Sequence, residues 1–100
     1  MKTKQLSVES IVCQGNETLS SAIDDETVLL SIKNSKYYGM DAIASKIWNL
    51  TAHPIKVTDI IHILQSEYNI GEDQCAHDVL SFLQELFKEK LIFIQNEIPV

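Results

Sequence analysis

Hydrophobic and polar positions along this chain change period near its middle, from alternation by two to repetition by three and four. Residues 8–14 alternate loosely around Ile11, Val12 and Cys13 and predict a first strand, turned by Gly15-Asn16. Residues 19–23 predict a short irregular strand, and Asp24-Asp25 signals a turn. Residues 27–33 are β-branched and alternating, which predicts a strand with Val28, Leu30 and Ile32 on its core face. Asn34-Ser35 has the length of a tight hairpin turn, and residues 36–40 form the returning strand. A two-residue turn pairs Ile32 with Tyr37, Ser31 with Tyr38 and Leu30 with Gly39. Paired residues share a sheet face, so Tyr37 joins the expected core face and Tyr38 lies opposite, with Ser31 and Lys33.

The second half of the chain is helical. Asp41 is a good N-cap for a helix over residues 42–50, in which apolar residues repeat at Ile43, Ile47, Trp48 and Leu50. His53-Pro54 ends it. Thr58 is the expected cap of a second helix containing Ile60, Ile61, Ile63, Leu64 and Tyr68, which breaks at residues 69–71. A third helix runs from Glu72 to Lys90, and residues 91–95 are an apolar run suited to one closing strand. A three-stranded antiparallel sheet followed by three helices is an α+β, winged-helix-like domain. Residues 1–7 and 96–100 are expected to be tails around a domain spanning residues 8–95.

The third helix carries more apolar surface than a packed surface helix requires. On a wheel of ~100° per residue, Phe82, Cys75, Leu86, Val79, Leu83, Ala76, Phe87 and Leu80 fill roughly half the circumference. Asp78, Glu85 and Glu89 form a row beside the Phe82 edge of that arc. An apolar rim at Cys75, Phe82 and Leu86 beside an acidic row makes a groove with a negative lip, suited to a peptide bearing apolar side chains and lysines. Gly39 removes a side chain from a strand expected at the sheet edge, where another backbone can approach closely. A peptide that adds a strand there gains main-chain hydrogen bonds and covers an otherwise open edge.

Charge narrows the partners. Of 100 residues, 8 are basic and 14 acidic, a formal net charge of -6, and every basic residue is a lysine. Nucleic acid and anionic membranes need a concentrated positive surface, and the winged-helix DNA-binding alternative needs a basic recognition helix that is missing here. The opening MKTKQLSVES has no apolar run behind its lysines, so it does not read as a signal peptide. No apolar span approaches the ~20 residues needed to cross a bilayer. Cys13 and Cys75, the two cysteines, are far apart and read as free thiols in a reducing cytoplasm. His77 is two residues from Cys75, too close in sequence to face it on a helix, so a Cys-His nucleophile is not formed. His53, His62 and His77 have no metal-ligand spacing with either cysteine, and the isolated glycines form no phosphate loop. The expectation is a protein without enzymatic activity or cofactor.

TVLLSIKNSKYYGMDAIASKIWNL resembles the PqqD-like peptide-recognition domain, the leader-binding element of ribosomal peptide biosynthesis. The likeness lies in the aliphatic strand at residues 28–32, the turn at Asn34-Ser35, the basic-aromatic-aromatic segment Lys36-Tyr37-Tyr38, the cap at Asp41 and the Ile47-Trp48 pair. VTDIIHILQSEYNI and CAHDVLSFLQELFKEKLI are similar to the middle and last helices of that family, so the resemblance covers about residues 8–95. Asp41 departs from the Asn often found there, although both cap a helix. SIKNSKYYGM and QCAHDVLSFL most resemble the stand-alone leader-binding proteins of lasso-peptide clusters. The resemblance implies that a precursor leader adds as a strand at Lys36, Tyr37, Tyr38, Gly39 and Met40. It implies that the leader's apolar side chains enter a groove formed with Cys75, Asp78, Val79, Phe82 and Leu86. The implied partners are a cysteine-protease-like leader peptidase and a cyclase acting after it. A chaperone for a radical SAM enzyme is the alternative within the same family.

Overall fold

In the computed structural model, which describes residues 6–95, an antiparallel sheet of β2 (Thr18–Ile23), β3 (Glu26–Ser31) and β4 (Lys36–Met40) precedes the helices α1 (Ala42–Leu50), α2 (Val57–Glu67) and α3 (Glu72–Lys88). Of the tails expected at 1–7 and 96–100, residues 1–5 and 96–100 lie outside the described residues, and Leu6 packs against the core. The first strand, β1 (Ile11–Gln14), does not join that sheet. It pairs antiparallel with β5 (Ile55–Lys56) on one side and β6 (Ile92–Ile94) on the other. The segment at 19–23 forms a regular strand, paired with β3 from Thr18↔Ser31 to Ile23↔Glu26.

Two features of the β3–β4 hairpin differ from the sequence expectation. The turn holds four residues, 32–35, because Ser31 and Lys36 close it and the Ser31 Oγ accepts the Asn34 N–H at 3.0 Å. Ser35 takes the left-handed conformation at φ 53°. The register is therefore Leu30↔Tyr37, Leu29↔Tyr38 and Val28↔Gly39. The core face is also inverted: Thr27, Leu29 and Ser31 are buried, whereas Val28, Ile32 and Tyr37 are exposed. Tyr38, cross-strand from Leu29, lies on the inner side and is half-buried.

Helix α1 forms as its pattern dictates. The Asp41 carboxylate accepts the Ala44 N–H at 2.9 Å, and Ile47 and Trp48 are buried. Helix α2 begins one residue before the expected cap. Lys56 is its N-cap without a side-chain bond, and the Thr58 hydroxyl donates instead to the Val8 carbonyl at 2.7 Å. Thr58 thus ties the N-terminal segment to α2. Helix α3 ends at Lys88, earlier than expected. Lys90 turns left-handed at φ 62°, while Lys90 N–H donates to Phe87 O and Leu91 N–H to Leu86 O. Those two bonds make a Schellman ending, with buried Leu86 and Leu91 sealing it. Gly15 has a steric role at the other end of β1: a Cβ there would stand 2.8 Å from a ring carbon of Phe93.

Candidate peptide-binding edge

Among the described residues, strand β4 has β3 on one side and no strand on the other. Which of its backbone groups face outward follows from the ladder. Ile32 N–H donates to Glu17 O, so alternate residues back along β3 (Leu30, Val28, Glu26) turn their backbone groups toward β2. Ser31, Leu29 and Thr27 therefore bond β4 through Lys36, Tyr38 and Met40. Tyr37 and Gly39 are left to present N–H and C=O at the open edge. Two donors and two acceptors spaced along one strand are the main-chain template for an added strand.

The C-terminal end of α3 is fastened beside the start of this strand. The Tyr38 hydroxyl donates to Glu89 Oε1 at 2.6 Å, and Asn34 Nδ2 donates to the Glu89 carbonyl at 2.8 Å. Lys36 Nζ stands 3.6 Å from the same carboxylate. Asn34 and Glu89 were not singled out as site residues by sequence. Glu89 appears there only as part of an acidic row, and Asn34 only as a turn residue. The Tyr38 bond first, and then the charge of Lys36, hold the Glu89 carboxyl below the usual carboxylate range. Burial, chiefly, raises the Tyr38 phenol and keeps it protonated as the donor. Because the folded state binds the Glu89 proton less readily than the unfolded chain, this fastening stabilises above the ordinary carboxylate pKa. Its contribution is lost as pH falls through the lowered folded value. In an NMR titration, the Glu89 carboxyl carbon is expected to have a midpoint below that of a free glutamate. Tyr38→Phe is expected to move it back up.

The strand residues proposed from sequence form one continuous edge: Lys36, Tyr37 and Gly39 are exposed, Tyr38 half-buried and Met40 buried. The helix residues divide. Asp78 is exposed and Phe82 half-buried, one helical turn apart on the side of α3 that also carries Glu85 and Glu89. Cys75, Val79 and Leu86 are buried in the core, where Cys75 Sγ lies 3.8 Å from Ile61 O of α2. Burial, and secondarily the charge of Asp78, raises the Cys75 thiol, which disfavours the nucleophilic thiolate. Among the described residues no group of three or more His, Cys, Asp or Glu side chains is placed to hold a metal. No helix of the described residues is long and apolar enough to cross a membrane.

A family model, Coenzyme PQQ synthesis protein D (PqqD), matches residues 26–92, from the first residue of β3 into β6. The chain belongs to the PqqD family. The matched segment holds the β3–β4 hairpin and all three helices. This PqqD-family domain is similar to TbiB1, solved in complex with the TbiA(beta) leader peptide. The identity is 28%, over 87% of this chain and 99% of that one, with a TM-score of 0.75. It shares its fold with a lasso peptide synthetase B1 complexed with the leader peptide, at 19% identity over 82% of this chain and 96% of that one, TM-score 0.70. No curated protein matches the chain.

Proposed function

We propose that this PqqD-family protein binds the leader of a ribosomally made precursor peptide, of the lasso-peptide kind, by strand addition to β4. It then presents that leader to a separate maturation peptidase of the cysteine-protease type, ahead of a cyclase. The observation that carries the reading is the open edge at Tyr37 and Gly39 in a chain of this family. Likeness to TbiB1 in its leader complex supports it. The protein's part is recognition and positioning rather than bond-making: Cys75 is buried and its thiol raised. Work in the cytoplasm, where precursor synthesis occurs, suits its two free cysteines.

Main-chain bonds give such a complex its geometry, and side-chain pockets give it selectivity. Phe82 is half-buried on α3 between exposed Asp78 and Glu85, and its partly open ring supports a role as a contact for a leader side chain. Phe82→Asp is expected to leave the circular dichroism spectrum unchanged and raise the Kd for the leader about tenfold or more. That corresponds to losing most of one buried apolar contact. Titration by fluorescence anisotropy reads the effect, and an unchanged Kd removes Phe82 from the site. The leader for this experiment is the N-terminal part of the precursor encoded beside the gene.

A further inference from the structure

A concavity of about 270 Å3 lies at one end of the three-stranded sheet, where β2 ends, β3 begins and β4 runs into α1. Ile23, Val28 and Met40 supply apolar lining, and Glu26 and Asp41 supply carboxylates. Gly39 opens it toward the strand edge. A Cβ on Gly39 would meet nothing within 4 Å, so glycine here leaves space rather than avoiding a clash. Its cross-strand partner Val28 is 42% exposed, and Ile23 is 66% exposed. The row from Val28 across Gly39 is thus a sheet row with one side chain missing at its edge.

We propose that this concavity is a side-chain subsite for the leader, taking the lysine or arginine that pairs opposite Gly39; the proposal rests on strand addition to β4. Residues paired across strands project to the same face. The leader residue opposite Gly39 therefore projects to the outer face and reaches over the bare Cα onto Val28, much as a large side chain covers an edge glycine. Glu26 follows two positions before Val28 on the same face of β3, and Asp41 continues that face beyond β4. Glu26 and Asp41 are exposed, and among the described residues neither has an ion-pair partner. An apolar floor with carboxylates beyond it suits an aliphatic stem bearing a cationic head better than an aromatic ring. The net charge of -6 favours the same choice.

The test is an alanine scan of the leader encoded beside the gene, titrated against wild type, Glu26→Gln and Gly39→Val. Circular dichroism confirms that each variant is folded. One lysine or arginine is expected whose alanine substitution weakens binding to wild type about threefold, the scale of a partly exposed ion pair. The same substitution is expected to have little further effect in Glu26→Gln or Gly39→Val. A leader that binds wild type with no basic position coupled to Glu26 overturns the subsite and leaves strand addition standing. Coupling at an aromatic position instead also overturns it. A leader with no affinity for wild type overturns the subsite and the binding function together.

Discussion

Trp48→Ala is expected to destabilise the domain by about 3–5 kcal/mol, the scale of emptying a large core site. Trp48 is 2% exposed, on α1, among a core that includes Ile47, Leu64 and Val12. Its carbonyl accepts from Gln14 Nε2 at 2.7 Å and from the Thr51 hydroxyl at 2.6 Å. Alanine retains that carbonyl, so the loss belongs to the ring and the cavity it leaves. A domain of this size has only about 5–15 kcal/mol in total, so one side chain removes a large share. The melting temperature is expected to fall by at least about 12 °C. A thermal scan with a native-like midpoint would place the indole outside the core.

The second large effect concerns binding and leaves the fold intact. Gly39→Pro removes an N–H that points out of the sheet and none that points into it. Proline is tolerated on an edge strand whose N–H faces solvent, and Tyr38 before it is already extended. The leader loses one main-chain hydrogen bond, worth about 0.5–1.5 kcal/mol, and meets the pyrrolidine ring where its own backbone must lie. Binding is expected to weaken by well over tenfold, with an unchanged melting temperature. Tyr38→Pro, by contrast, cuts the β3–β4 ladder and is expected to lower stability. Calorimetric titration of both variants separates an edge contact from a folding defect. Full leader affinity in Gly39→Pro would mean that the peptide does not pair with β4.

Helix α1 was legible in the sequence because its signals agree: a capping Asp41, helical spacing of Ile43, Ile47 and Trp48, and a His-Pro stop. The orientation of β3 was not legible, since Val28, Leu29 and Leu30 put apolar side chains on both faces. The buried face carries Thr27 and Ser31, which look like surface residues, yet the Ser31 hydroxyl is satisfied by the turn it closes. That same bond lengthened the turn and shifted the register. Strand β5 is two residues long, too short for any periodicity to show. The edge position of the proposed strand residues could be read from KYYGM, because a glycine beside aromatics on a terminal strand is a local pattern. The exposure of the proposed helix residues is set by packing instead. Half the circumference of α3 is apolar, and contact with α2 decides that Cys75 and Val79 are enclosed while Phe82 stays at the rim.

Amide hydrogen exchange with and without the leader reports whether β4 accepts a strand. Tyr37 and Gly39 amides are expected to exchange fast in the free protein and to become protected when the leader binds. The amides of Lys36, Tyr38 and Met40, already bonded to β3, should change little. Among the described residues the sheet has a second open edge at β2, where by the same alternation Thr18, Ser20 and Ala22 face outward. New protection at those three residues, with Tyr37 and Gly39 still exchanging fast, would mean that the leader pairs with β2 and not with β4.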